Sequence, residues 1–243
     1  MIASDKVAIV AALEREVRPL TKRWHSCERK HEGRKFKFFE SDRAVLVCGG
    51  IGAEAARRAC EALIATYNPS LVISTGFAGA LEHRVAVGSI QTPRWVIDAG
   101  DGSRADSGTG AGVLVSADSV AGPEQKAKFA KAYGAQAVDM EAAAVARGAQ
   151  ARGVRFIAIK AISDEIDQVL PPMQRFVGPE GQFQTSRFLA FTAIRPWLWP
   201  RMIRLARNTS RASRALCGWL EQYDRLAEEG DLRSLESAVS RER

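Results

Sequence analysis

Four carboxylates sit where apolar, strand-like runs give way to other structure. Glu14 and Glu16 follow "KVAIVAAL" (6–13), Glu141 follows "AVDM" (137–140), and Asp164 follows "FIAIKAIS" (156–163). Open α/β sheets bind ligands beyond the carboxyl ends of their strands. Acids gathered there can steady a developing cation, move a proton, or do both. Each also has a structural explanation: Glu14, Glu16 and Glu141 suit the positive end of a helix, and Asp164 in "ISDEID" (162–167) suits an N-cap. His25, His31 and His83 show no metal-ligand spacing, and no serine lies in a G-x-S-x-G elbow. Metal hydrolysis and triad chemistry are therefore disfavoured.

The elements that must position these acids can be read from the apolar pattern. "KVAIVAAL", "RAVLVCGG" (43–50), "SLVISTGFAG" (70–79), "SIQTPRWVI" (89–97), "GVLVSAD" (112–118) and "RFIAIKAISD" (155–164) read as strands, several apolar throughout as buried strands are. Between them "EREVRPLTKRW" (14–24), "GAEAARRACEALIATY" (52–67), "GPEQKAKFAKAYG" (122–134) and "EAAAVARGAQARG" (141–153) read as helices, the last two ending on Gly134 and Gly153 as C-cap glycines. Alternating strands and helices predict an α/β fold with a mixed, largely parallel central sheet. Segment 98–112, with five glycines, reads as a loop, either a mobile connection or a lid, and lacks the ending of a phosphate-cradling P-loop.

Composition narrows the class further. A hydrophobic share of 46% and a charged share of 26% over 243 residues are those of a globular protein with a real core. Cys27, Cys48, Cys60 and Cys217 are widely spaced, which suits a reducing cytoplasm better than a disulfide framework. The short, charge-interrupted apolar run at the start fits neither a signal peptide nor a membrane span. Net charge is +7, and the excess is local: 187–220 holds seven arginines and no Asp, Glu or Lys.

Five segments in order, "VAALEREV" (10–17), "CGGIGAEAA" (48–56), "STGFAGAL" (74–81), "AVDMEAAA" (137–144) and "KAISDEID" (160–167), make the chain resemble the nucleoside phosphorylase and nucleosidase family. The likeness is to the branch that contains 5′-methylthioadenosine/S-adenosylhomocysteine nucleosidase. It implies a three-layer α/β/α fold over 1–186, no cofactor, a homo-oligomer of two or six subunits, and cleavage of an N-glycosidic bond. Carried over by position, it makes Asp164 the acid that protonates the departing purine and Glu16 the group that positions or deprotonates water. Met140 and Glu141 would hold the ribose, and Ala78 and Gly79 would line the sugar side. Val120 and Ala121 would border the base, with Ser163 among the substrate contacts. Two substrate-binding positions depart from the family pattern: Phe77 stands where a serine is usual and Lys160 where an arginine is. The G-D-P-x-R phosphate motif of hexameric purine phosphorylases is absent, which favours water over phosphate as acceptor, with phosphate as the alternative co-substrate.

Segment 187–243 is expected to form a basic, aromatic-rich helical extension. Arg204, Arg207, Arg211 and Arg214 recur at spacings of three and four, so they share one helix face. Leu205, Ala212, Leu216, Trp219 and Tyr223 share another, and Trp197 and Trp199 precede the helix. This pattern fits a helix packed on the core with a solvated arginine face. Periodicity alone favours that packing, but an acid-free arginine face beside a Trp-Leu-Trp cluster has the composition of an interfacial helix on anionic lipid, placing these arginines and tryptophans at a membrane. Four facing arginines near such a surface contribute on the order of 4 kcal/mol. Nucleic acid is the less favoured partner, because no binding module is visible. The "LPPMQRFVGPEGQF" (170–183) and "IRPWLWP" (194–200) runs resemble those of hopanoid-associated phosphorylases. That resemblance implies removal of adenine from adenosylhopane at the inner face of the cytoplasmic membrane. The alternatives are a soluble methylthioadenosine/S-adenosylhomocysteine nucleosidase, a phosphate-dependent purine nucleoside phosphorylase, or a non-enzymatic scaffold.

Overall fold

The computed structural model describes residues 6–228. The chain runs β1 (Val7–Ala11), α1 (Glu14–Thr21), β2 (His25–His31), β3 (Arg34–Glu40), β4 (Ala44–Cys48), α2 (Ala53–Tyr67), β5 (Leu71–Ala80), β6 (Ile90–Gln91) and β7 (Trp95–Asp98). It continues with β8 (Arg104–Asp106), β9 (Val113–Ser116), α3 (Pro123–Tyr133), β10 (Ala137–Asp139), α4 (Ala142–Gln150), β11 (Arg155–Asp164), α5 (Thr185–Ala193) and α6 (Trp199–Glu228).

One mixed sheet carries the molecule, in the order β2-β3-β4-β1-β5-β10-β9-β7-β8, with β11 on β5 and β6 on β11. Its centre is parallel: β1 pairs with both β4 and β5, and β11 runs beside β5 over almost the whole strand. Alternate residues of β1 feed two different cores. Ala8 and Val10 pack with Leu63 and Ala146 of α2 and α4, whereas Ile9 and Ala11 pack with Val17 of α1 and Leu216 of α6. Both faces of the strand are covered, so both registers of its side chains must be apolar. This is the expected three-layer α/β/α arrangement.

Several details differ from the sequence reading, each for a local reason. "SIQTPRWVI" is two strands: β6 pairs antiparallel with β11 and β7 pairs parallel with β9, separated by Pro93, which cannot donate to a ladder. The polar stretch 25–40 is a hairpin, β2–β3, turning through Glu32 and Gly33, both at positive φ as a two-residue hairpin turn of this hand requires. Segment 98–112 is more ordered than a plain loop, since β8 pairs with β7 and Arg147 donates to Asp98 at 2.6 Å and to Asp101 at 3.2 Å. Helix α3 does end on Gly134 in the left-handed conformation, but α4 stops at Gln150 with Ala151 as its C-cap, and Gly153 lies in the turn beyond.

Helix α6 lies on the core. Leu205, Ala212, Leu216 and Leu220 are buried, Trp219 is half-buried, and the Ser213 hydroxyl donates to the Glu16 carbonyl at 2.9 Å. The side chain of Tyr223 lies outside the described ones. The arginines face away, with Arg204 paired to Glu165 and Arg207, Arg211 and Arg214 exposed. Trp197 and Trp199 are 70% and 51% exposed. Among the described residues no helix is long and apolar enough to cross a membrane.

Candidate active site

The strand ends and their following turns open onto one cavity of about 300 Å³. Its polar end is built from Glu16 of α1, Asp139 and Met140 at the end of β10, Glu141, Ser163 and Asp164 at the end of β11, and Lys126 of α3. Phe77, Ala78 and Gly79 of β5 and Val120 and Ala121 after β9 complete the wall. A larger hollow of about 590 Å³ between α1, β4 and α6 contains none of the strand-end acids. Of the residues expected to contact substrate, Lys160 alone stays out of the cavity. It is fully buried behind the wall, its ammonium 2.9 Å from Asp139 and donating to Ser74 Oγ at 3.1 Å.

The puzzle of an acid at the start of α4 resolves here. The helix end is satisfied by Asp139, whose Oδ2 accepts from Ala142 N at 2.9 Å while Oδ1 accepts from Ser116 Oγ at 2.6 Å. Glu141 makes no side-chain cap. Its Oε1 reaches across to the backbone N–H of Gly52, the N-cap of α2, at 2.9 Å, and its Oε2 accepts from Met140 N at 3.3 Å. A carboxylate relieved of helix capping and held at two N–H groups is placed for a ligand.

Burial raises Glu141 to about 7, with the neighbouring charge of Asp139 adding to the rise and Lys160 opposing it. Glu16 is raised too, chiefly by burial, against the Leu13 N–H at 3.2 Å and the charges of Arg15 and Lys160. Gly76, at φ +140, leaves room for it: a Cβ there would come within 3.0 Å of Glu16 Oε2. A raised acid favours the fold while protonated, so this contribution is complete below its ordinary value of 4.5 and is lost as pH rises through about 7. Glu141→Gln removes the ionisation, although its amide then meets the Met140 N–H. The variant is expected to gain on the order of 1–2 kcal/mol at about pH 8.5 and nothing near pH 4.5, read from melting curves at the two pH values.

Asp164 is 5% exposed and doubly held, accepting from Ser163 Oγ at 2.7 Å and pairing with the Lys126 ammonium. The pair leans on β5, where a Cβ on Gly79 would come within 2.9 Å of Asp164 Oδ2. Lys126 escaped the sequence reading because "PEQKAKFAK" (123–131) resembles any solvated helix; only its 1% exposure reveals its place.

The other end of the cavity is apolar. Leu170, Met173, Phe183, Phe188, Leu189, Met202 and Leu205 line it, drawn from the link after β11 and from α5 and α6. Phe176 stacks edge-on against Phe188, and Phe183 does likewise, each with ring centres 5.3 Å apart, while Arg15 lies over Phe183 at 5.1 Å. The link is tied back to the turn before α2, with Ile51 N donating to Gly181 O at 2.8 Å. The exposed large apolar side chains among the described residues, Val169, Leu189, Ile194, Trp197, Trp199 and Ile203, all fall in this same stretch. No group of three or more His, Cys, Asp or Glu among the described residues is arranged to hold a metal ion.

Comparison with known proteins agrees with this architecture. A 5′-methylthioadenosine/S-adenosylhomocysteine nucleosidase of Bacillus licheniformis is 28% identical over 200 residues, 65% of this chain and 85% of that protein. The Helicobacter pylori enzyme of the same name, complexed with a substituted pyrrolidin-3-ol, superposes with a TM-score of 0.67 at 16% identity, covering 91% of this chain and 98% of that one. Futalosine hydrolase from Helicobacter pylori superposes with a TM-score of 0.66 at 17% identity, covering 89% and 96%. The Phosphorylase superfamily model matches residues 6–119 and 109–171, and the chain belongs to that family.

Proposed function

We propose that the protein hydrolyses the N-glycosidic bond of a 5′-substituted adenine nucleoside and releases adenine. The observation that carries this reading is the meeting of Glu16, Glu141 and Asp164, from three separate elements, on one cavity. Breaking the bond leaves positive charge on the sugar and negative charge on the base, which an anion and a proton donor respectively relieve. Asp164 protonates the base, bordered by Val120 and Ala121. Glu141 and Met140 hold the ribose, Glu16 positions the water, and Ala78 and Gly79 supply backbone beside the sugar. The chain has "AALEREV" (11–17) in place of the phosphate motif of hexameric purine phosphorylases, so water rather than phosphate is the acceptor we favour. The name of the Bacillus licheniformis relative supports the adenine nucleoside as substrate class.

The 5′ substituent is, in this reading, large and apolar, because the cavity passes from carboxylates to Phe and Leu side chains. Adenosylhopane fits that description. The exposed face of the described part of the 187–243 extension would then meet lipid, with Trp197 and Trp199 at the bilayer and Arg204, Arg207, Arg211 and Arg214 near anionic headgroups; residues 229–243 lie outside the described ones. The protein would be a homo-oligomer, peripheral on the cytoplasmic face. Adenine release from 5′-alkylthioadenosines of increasing chain length tests the substituent. Each buried methylene is worth about 0.8 kcal/mol, roughly fourfold in kcat/KM, until the apolar end is filled. A flat series with methylthioadenosine as good as any longer analogue would favour the small-substrate nucleosidase instead.

A further inference from the structure

A second charge lies against the proposed acid, and the reaction as written leaves it without a task. Lys126 is buried to 1% exposure, where an ammonium is costly unless paired. Its Nζ bonds Asp164 Oδ2 and the Glu165 carbonyl, the latter at 2.6 Å. Gly79 gives way to the pair: a Cβ there would lie 3.0 Å from Lys126 Cε and 3.1 Å from Nζ. Lys126 itself lines the cavity, so this is a site feature and not a bridge in the distant core.

We propose that Lys126 acts through Asp164, holding its carboxyl group in place and resupplying the proton it gives away. The inference rests on Asp164 being the acid of the proposed hydrolysis. As the bond from the sugar to the purine breaks, its electron pair stays on the base and Asp164 passes a proton to a ring nitrogen. Lys126 Nζ delivers a proton to Asp164 and becomes a neutral amine. Water adds hydroxide to the sugar carbon and yields its other proton to Glu16, which balances the one received by adenine; return of that proton through solvent resets the lysine. The ammonium is a proton source already in hydrogen-bond contact with Asp164 Oδ2. The other charged groups around the pair are Arg15 and Glu16 from α1, Asp139 at the end of β10 with Lys160 of β11 behind it, Glu141 before α4, Glu165 after β11 and Arg204 from α6; Glu124 lies on the lysine's own helix.

Two variants separate this from a purely structural role. Lys126→Met removes the bonded proton source and leaves the carboxyl to draw on solvent, whose proton supply falls with pH, so activity should be within about threefold of wild type near pH 5.5 and about 10²-fold lower near pH 8.5. Lys126→Arg keeps the charge and the hydrogen bonds but gives up no proton in this range, so kcat should be about 10²-fold lower at both pH values with KM little changed. The same loss at every pH in both variants, or full activity in Lys126→Arg, would overturn the proposal. If Lys126→Met does not fold, Lys126→Ala assayed with added ethylamine reads the same question. Rescue that grows with ethylammonium concentration supports the relay, and its absence in a folded variant contradicts it. Full activity of Asp164→Asn would instead remove the hydrolase reading itself.

Discussion

Asp164→Asn is expected to lower the rate of adenine release by about 10²–10⁴-fold while changing KM little, because positioned proton donation is worth that much and purine binding depends on other walls of the cavity. Asparagine is nearly isosteric and can still accept from Ser163 Oγ, so the carboxyl's geometry is largely kept. What is lost is the transferable proton. The side-chain amide would also turn its own N–H groups toward the Lys126 ammonium, or else surrender the Ser163 bond to avoid doing so. Some stability is lost with the counter-charge of Lys126, so the rate must be read well below the melting temperature of the variant. Steady-state kinetics with adenine quantified directly checks it. An increase in KM without a change in kcat would mean that Asp164 binds substrate without acting as an acid.

Lys160→Met is expected to cost about 3–5 kcal/mol of stability, the usual penalty for leaving one member of a buried ion pair alone. The pair is entirely sealed, with both side chains at 0% exposure and the charges 2.9 Å apart. Asp139 would keep its bonds to Ser116 and Ala142 but lose its only ammonium partner among the described residues. For a chain of this size that is a fall on the order of 10 °C in Tm. A second consequence follows from the charges Lys160 faces. It holds down both Glu16 and Glu141, so its removal lifts them further, and the activity that needs them ionised moves to higher pH. Lys160→Arg keeps the sign of the charge and is expected to spare most of the stability if the longer side chain fits. Melting curves of the two variants side by side distinguish charge from packing.

The layered fold was legible because a strand covered on both faces has nowhere to place a polar side chain; the runs of β1, β5 and β11 say so directly. The β2–β3 hairpin was not, because β2 has no buried residue and so no alternation to read. Glu16, Glu141 and Asp164 were legible as acids at strand ends. That they share a cavity is a property of the sheet order, which puts β5 between the strands that carry the others. Lys126 and Asp139 could not be singled out, since burial of one lysine among Lys126, Lys128 and Lys131 is decided by the docking of α3 and not by its sequence. Simple alternation would put Lys160 on the same face as Asp164; the register shift between Ile162 and Asp164 breaks that parity, and Lys160 lies behind the wall beside Asp139. The arginine face of α6 was visible in the spacing, whereas its apolar stripe found the core, leaving Trp197 and Trp199 at the surface.

The most direct test of the central claim is to incubate the protein with a 5′-alkylthioadenosine in ¹⁸O-labelled water and follow both products by mass spectrometry. Hydrolysis by the converging carboxylates predicts free adenine in equal amount to a sugar carrying ¹⁸O at its anomeric carbon, with both formed about 10²–10⁴-fold more slowly by Asp164→Asn. Intact nucleoside after prolonged incubation, or adenine released at the same rate by that variant, would contradict it.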